Sequence, residues 1–564
     1  IDESNVVSLA GGSLGGKGRG LAFVSTLIHS FELGRLLPGI NIKSPLTAII
    51  GTDEFDHFME SNHMWDVVNR EKDFGELQKK FLSGTLSSAL ESKLRIFIKL
   101  YNQPLAVRSS SLFEDSLSQP FSGVFGTYLL PNNHPDTEVR LRQLISAIKL
   151  VFSSIYSDNS RIYFEAINYK IEQEKMAVVI QAVVGKKYDE IFYPHISGTA
   201  QSFNFYPVAN MTPHDGFAIA AVGLGQYVLD GERAFRFSPS FPALDIMSIE
   251  DLIRYSQVEF YAVNLARRDV DLLEGESAGL VKLDISRAEA DGALKHCASV
   301  FSMDNDTVSP GLDVPGPRVI NFANILKYDY IPLAPTLKKV LEVVREAFGA
   351  PVEIEFAVDL TRDENDKASF YLLQIKPLVG SGAGYAIDPE TVYTDDMLLV
   401  SRKSMGNGLI NDITDIIYVE PEKFDNLKTN EMAEEIDAIN RKMLAEGRKY
   451  ILIGPGRWGT KDRFLGIPVA WPQISNARVI VEVSLPDYHV DASQGSHFFH
   501  NVTSMNIGYL SVNQYTGDGT ILWDRLQNQK TIGNGNWFRH IRFDEPLVIR
   551  MDGRKGMAVI SVSS

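Results

Sequence analysis

The chain has 564 residues, 44% of them hydrophobic, and a formal net charge of −16 at pH 7. That length exceeds the roughly 250–300 residues at which single cores stop growing, so more than one domain is expected. The acidic balance, with no basic run, argues against nucleic acid as a partner, and no apolar stretch reaches the roughly 20 residues of a membrane helix. One cysteine, Cys297, excludes an internal disulfide framework and fits a reducing, cytoplasmic setting. The chain starts at Ile1 rather than Met, with no signal-peptide pattern after it, and so reads as a piece of a longer protein.

The first landmark is Ala10–Gly20, AGGSLGGKGRG, which opens into an apolar-periodic stretch, Leu21–Leu33. Glycines around Lys17 ahead of a helix suit a phosphate-cradling loop with the lysine as cation. No Ser or Thr follows the lysine as a Walker loop would require, and a plain glycine linker is the alternative. Helical periodicity covers Glu54–Val68, Leu86–Leu100 and Thr137–Ile155. Between the last two lies Leu105–Leu129, LAVRSSSLFEDSLSQPFSGVFGTYL. Here a strand delivers Arg108 toward three serines, and Gly123 and Thr127 lie at small-residue corners. Such a stretch offers bidentate donors and approachable backbone N–H groups to an anion, specifically a nucleotide triphosphate. The competing reading is an ordinary hairpin whose arginine pairs with Glu114 or Asp115.

Met176–Val184, MAVVIQAVV, reads as a buried strand in which Gln181 is either a core amide or a group facing a base. Ile196–Pro207 carries Ser197-Gly198, and Ala218–Glu232 runs from a strand into a Gly-Leu-Gly corner. The least informative region is 241–321, with helical periodicity at Ile249–Arg268. Thr336–Phe348 is an amphipathic helix. Then Val352–Leu360, VEIEFAVDL, alternates strictly, so Glu353 and Glu355 share a face, as do Gln374 and Lys376 in Phe370–Pro377, FYLLQIKP. Two carboxylates, an amide and an ammonium on one hairpin surface suit Mg²⁺ with phosphates, although a sheet with one solvated face alternates in the same way.

Taken in order, GGKG, VRSSSLFED, PFSGVFGTY, MAVVIQ, IEFAVD and LLQIKPL resemble the ATP-grasp nucleotide-binding domain shared by phosphoenolpyruvate synthase, pyruvate phosphate dikinase and rifampin phosphotransferase. The resemblance spans roughly Val7–Val379. It implies an α/β (α+β) fold with a two-lobed ATP-grasp domain over 1–380. It further implies that Lys17 and Arg108 contact phosphates, that Glu355 and Gln374 hold Mg²⁺, and that Gln181 lies by the adenine with Glu353 near the ribose or the metal. Lys376 stands where the family usually has arginine, which weakens bidentate phosphate contact, and Gln226 replaces the usual glutamate after Gly-Leu-Gly.

A glycine-rich linker, 381–395, leads to a second domain, 396–564. It contains a charged helix at Asn430–Gly447, a strand running into a glycine turn with Arg457 (Tyr450–Gly459, YILIGPGRWG), and Ser493–Val512, SQGSHFFHNVTSMNIGYLSV. Ser496-His497 resembles the phosphohistidine domain that follows the ATP domain in the same enzymes, a smaller α/β swivelling domain. That resemblance makes His497 a phosphoryl-carrying nucleophile, although the family's double glycine is absent and Gly495 replaces its usual threonine. Two other readings stay open: a metal site formed by His497 and His500 with His489 and Asp491, or histidines without a role. The expectation is therefore an ATP- and Mg²⁺-dependent dikinase-type phosphotransferase, potentially oligomeric. Its phosphoryl acceptor, a small molecule or a partner protein, is unassigned, because the chain leaves no room for a pyruvate barrel. The rival is an ATP-binding regulatory or scaffold protein without turnover.

Overall fold

The computed structural model describes residues 5–30, 33, 37–111, 125–166, 169–204, 211–244, 249–254, 256–378, 387–390, 392–406, 408–460, 462–490, 507–553 and 555–563. Gly123 and His497 lie outside the described residues, as do His500 and Asp491. The architecture is mixed α/β. Its first sheet is built from β1 (Val6–Ala10), β3 (Thr47–Ile50), β4 (Leu105–Ser111), β5 (Thr127–Leu130) and β6 (Met176–Ala182), in the order β1-β3-β6-β4-β5. Every residue of β6 is buried, as a central β-branched run requires. Helices at Thr52–Ser61, Phe74–Ser83, Ser88–Leu100 and Thr137–Ser153 cover one face through Phe55, Phe58, Phe81, Leu94 and Phe152.

The second sheet has six strands in the order Phe235–Phe237, Phe217–Ala221, Ile196–Gln201, Val352–Asp359, Ala368–Pro377 and β2 (Ile40–Lys43). The helix Leu333–Phe348 buries Leu337, Val340, Leu341 and Val344, the i, i+3, i+4, i+7 stripe expected of an amphipathic helix. These side chains join the same core as Ile354, Phe356 and Ile375. Helix α1 (Gly15–Ser30) connects the two sheets: Leu21 packs on Ile49 and Val179 of the first, whereas Val24 and Leu27 enter the core of the second. The first turn of α1 therefore sits where the two lobes meet.

Local structure departs from the sequence expectation at several points. Lys17 is not in a loop, since α1 already begins at Gly15. Gly15 has φ +68°, and a Cβ there would stand 1.9 Å from the Ser110 carbonyl oxygen, so only glycine admits this approach of helix to strand. Ser109–Ser111 form no turn; they continue β4 because β6 offers them partners, with Ser110 opposite Ala177 and Ser111 opposite Met176. The helical reading of Glu54–Val68 is interrupted at His63, which adopts a left-handed conformation (φ 53°) between helices Thr52–Ser61 and Met64–Arg70. Ile249–Arg268 is a short helix, Ile249–Arg254, followed by a strand, Glu259–Asn264, pairing with Leu280–Asp284. There the sheet partners override the helical period.

From Met397 onward the chain builds a ten-stranded mixed sheet. Its parallel centre consists of Gly408–Val419, Tyr450–Pro455, Ala477–Val483 and Gly508–Val512. The long strand Phe538–Asp552 adds an antiparallel wing. Asp415, fully buried in this sheet, accepts hydrogen bonds from Arg448 (2.7 Å), Arg542 (2.7 Å) and the His540 ring (2.7 Å). Among the described residues no helix is long and apolar enough to cross a membrane.

Candidate active site

A cavity of about 660 Å³ opens between the two lobes, lined among others by Lys17, Arg108, Thr127, Gln181 and Glu355. The geometry follows from register. On β4, Arg108 stands opposite Val179 of β6 and Thr127 of β5, which brings Thr127 to the same rim. The Arg108 guanidinium then spans the cleft. It donates to Gln181 Oε1 (3.3 Å) on its own sheet, and to Glu355 Oε2 (3.3 Å) and Gln374 Oε1 (2.6 Å) on the other. Gln181 also donates to the Leu373 carbonyl oxygen (3.2 Å), so its amide ties the lobes together as well as facing the cavity.

Lys17 approaches from the α1 side and is buried, with Nζ 3.2 Å from Ser109 Oγ. Ser110 Oγ accepts from the Gly18 N–H (2.9 Å) and donates to the Leu14 carbonyl oxygen (2.7 Å). The serines after Arg108 thus fasten the start of α1 and fix the lysine in place. The helix N-terminus adds a partial positive charge on the same side.

On the facing hairpin, Glu353 pairs with Lys376 and Glu355 with Gln374 in antiparallel register, with an irregularity just after Glu355. All four are buried, which removes the solvated-face reading of this hairpin. Lys376 Nζ lies 2.5 Å from Glu355 Oε1 and 3.8 Å from Glu353 Oε1. Glu355 reaches the cavity wall, whereas Glu353, Gln374 and Lys376 form a polar layer behind it, held through Glu355 and Arg108. Burying charges in this way is tolerable only because they are paired.

The sequence reading missed Gln201, whose Nε2 donates to Glu353 Oε2 (2.5 Å). Its signal was the alternation of Ile196–Gln201, which places Thr199 and Gln201 opposite Glu355 and Glu353. As for a metal, Glu355 and Gln374 offer hard oxygen donors of the kind Mg²⁺ takes. Among the described residues no group of three or more His, Cys, Asp and Glu side chains is gathered for a metal.

The two lobes with a cavity between them are the architecture of an ATP-grasp-type domain in a mixed α/β chain. Residues 12–394 match the family model described as pyruvate phosphate dikinase, AMP/ATP-binding domain, and the chain belongs to that family. Over 189 residues it is 26% identical to an uncharacterized phosphotransferase, YvkC, of Bacillus subtilis (strain 168), covering 32% of this chain and 20% of that protein. Over 221 residues it is 24% identical to phosphoenolpyruvate synthase of Aquifex aeolicus (strain VF5), covering 36% of this chain and 24% of that enzyme. The chain thus matches a quarter or less of the length of these relatives.

Proposed function

We propose that this chain is an ATP-dependent phosphotransferase of the dikinase type, acting in the cytoplasm. In this reading 1–380 is the nucleotide domain, 381–395 a linker and 396–564 a domain carrying His497. The observation that supports it best is the convergence of Lys17, Arg108 and Glu355 from three separate elements on one interlobe cavity. ATP binds there with its phosphates toward Lys17 and Arg108. Gln181 lies by the adenine, Thr127 stands at the rim, and Gly123 is a further nucleotide-binding residue. Glu355 and Gln374 would hold Mg²⁺, which when bound would offset phosphate charge. Lys376 and Glu353 act as positioning residues, because both are held in the layer behind Glu355.

Catalysis in this class is mainly positioning and charge neutralisation. A ring nitrogen of His497 attacks a phosphorus of the bound nucleotide in line. A P–N bond forms as a phosphoanhydride bond breaks, and the leaving oxygen keeps the electron pair. The phosphoryl group then passes to an acceptor, a small molecule or a partner protein. Incubation with β- and γ-labelled ATP tests this directly. Acid-labile label on the wild type and none on His497→Ala supports the step, whereas ATP binding without label transfer or AMP release sinks it. The second outcome would leave an ATP-binding regulatory or scaffold role, a reading favoured by the engagement of Lys376 with Glu355 rather than with the cavity.

A further inference from the structure

The interlobe cavity is not closed by the nucleotide lobes alone. Arg457, Gly459 and Thr460 line it too, together with residues around Val469–Trp471, all from the ten-stranded sheet region. None of these belongs to the ATP-grasp motifs, and residues 457–472 lie beyond the matched family region.

The turn that carries Arg457 is rigidly built. It leaves the C-terminal end of Tyr450–Pro455, a central strand flanked by parallel neighbours, which is where open α/β sheets present ligand-binding loops. Gly456 turns the chain with φ +70°. The Arg457 N–H donates to the Leu465 carbonyl oxygen (2.8 Å), and the Gly459 N–H donates to that of Ile467 (3.1 Å). A Cβ on Gly466 would stand 1.9 Å from the Arg457 carbonyl oxygen, so this pairing is as close as backbones allow. The adjacent Trp458 is fully buried. Its indole donates to the Val481 carbonyl oxygen (3.2 Å), and its backbone N–H donates to Glu482 Oε1 (2.9 Å).

The same segment touches the nucleotide lobes at two further places. Arg233, just after the Gly-Leu-Gly corner, lies 3.7 Å from Asp462, and the helix Asp158–Ala166 packs against Trp471–Ile474. Asp230, Glu276 and Glu355 also line the cavity and balance part of its positive charge. Arg457 itself is only 7% exposed and lines the cavity from a fixed backbone, and a guanidinium offers the fork of donors that suits a phosphate.

We propose that Arg457 is a nucleotide-binding residue supplied by the ten-stranded sheet region. It contacts the terminal phosphates of a nucleoside triphosphate, so that the site is complete only when the two parts of the chain are docked. The inference rests on the reading of the cavity as an ATP site. Its test uses the whole chain and isothermal titration with ATP and with AMP, which lacks the terminal phosphates. The variants are Arg457→Ala, Arg457→Lys and, as a reference inside the first lobe, Lys17→Ala.

The expected result is a loss of ATP affinity of about tenfold or more in Arg457→Ala, the worth of one charge-assisted hydrogen bond. AMP affinity should stay within about threefold, and Arg457→Lys should recover part of the loss. A purely structural role would move ATP and AMP together. If Arg457→Ala does not fold, Arg457→Lys and Thr460→Val carry the same ATP-against-AMP comparison. Wild-type ATP affinity in the Arg457 variants, with affinity lost in Lys17→Ala, overturns the inference while leaving the ATP site standing. No ATP binding by the wild type, or none of it sensitive to Lys17, overturns the ATP reading and this inference with it.

Discussion

Replacing Arg108 with alanine removes a side chain that bonds Gln181 on one lobe and Glu355 and Gln374 on the other. Two consequences can be separated. Without nucleotide, Glu355 keeps Lys376 at 2.5 Å as a cationic partner, and the hydrogen bonds of Arg108 to Gln181, Glu355 and Gln374 are lost. The strongest of these is the 2.6 Å bond to Gln374; the bond to Glu355 is long, at 3.3 Å, between groups 13% and 8% exposed. A loss of about 1–3 kcal/mol in unfolding free energy is expected. With nucleotide, a charge-assisted bond to phosphate contributes about 1.5–3 kcal/mol. At about 1.4 kcal/mol per factor of ten, ATP affinity should fall roughly 10- to 150-fold. Part of that gain is offset in the wild type, because the guanidinium must loosen its contact with Glu355 to meet phosphate, so the lower end is expected. Titration calorimetry with ATP, alongside a denaturant melt of the nucleotide-free protein, reads both effects. Arg108→Lys should fall between wild type and alanine, since it keeps the charge but loses the fork. An ATP affinity within twofold of wild type in a folded Arg108→Ala would refute the assignment and return Leu105–Leu129 to a plain hairpin.

Glu355→Gln should weaken ATP binding measured with Mg²⁺ by about tenfold while changing Mg²⁺-free binding far less; equal effects under both conditions would remove Glu355 from the metal site. At Asp415, burial alone would raise the carboxyl, but hydrogen bonds from His540, Arg448, Thr414 and Arg542 outweigh it and hold the group well below the usual carboxylate range. A depressed folded value contributes stability above the ordinary value of 3.8 that is lost as pH falls further through the folded one. Asp415→Asn should therefore cost about 3 kcal/mol near pH 7, from stranded cations, and flatten the stability curve below about pH 4. Urea midpoints at pH 7 and pH 3 that match wild type at both values would contradict this. Burial pushes the Cys297 thiol well above its ordinary value, so a disulfide reagent should leave the native protein unmodified at pH 8 and titrate one thiol after denaturation. Rapid native labelling would show that the core around Cys297 opens readily.

The sequence by itself determined the order of the chemistry. Glycines before an apolar period located α1 and Lys17; strict alternation at Val352–Leu360 placed Glu353 and Glu355 on one face; and a β-branched run marked β6. These are local signals, fixed by the periods of helix and strand. What it could not determine was what those faces meet. Alternating polar residues read equally well as a solvated sheet face, and only the closing of one lobe over the other buried Glu355 and Gln374 against Arg108. The serines after Arg108 read as an anion turn, yet their hydroxyls hold α1, because β6 extends the ladder past them. Strand partners distant in sequence turned Ile249–Arg268 from one helix into a helix and a strand. Arg457 carried no sequence signal toward the cavity, since its place there depends on packing between regions distant in sequence, Asp158–Ala166 and Trp471–Ile474 among them. Local periodicity records which way a side chain points; only the packing of distant elements decides what it points at.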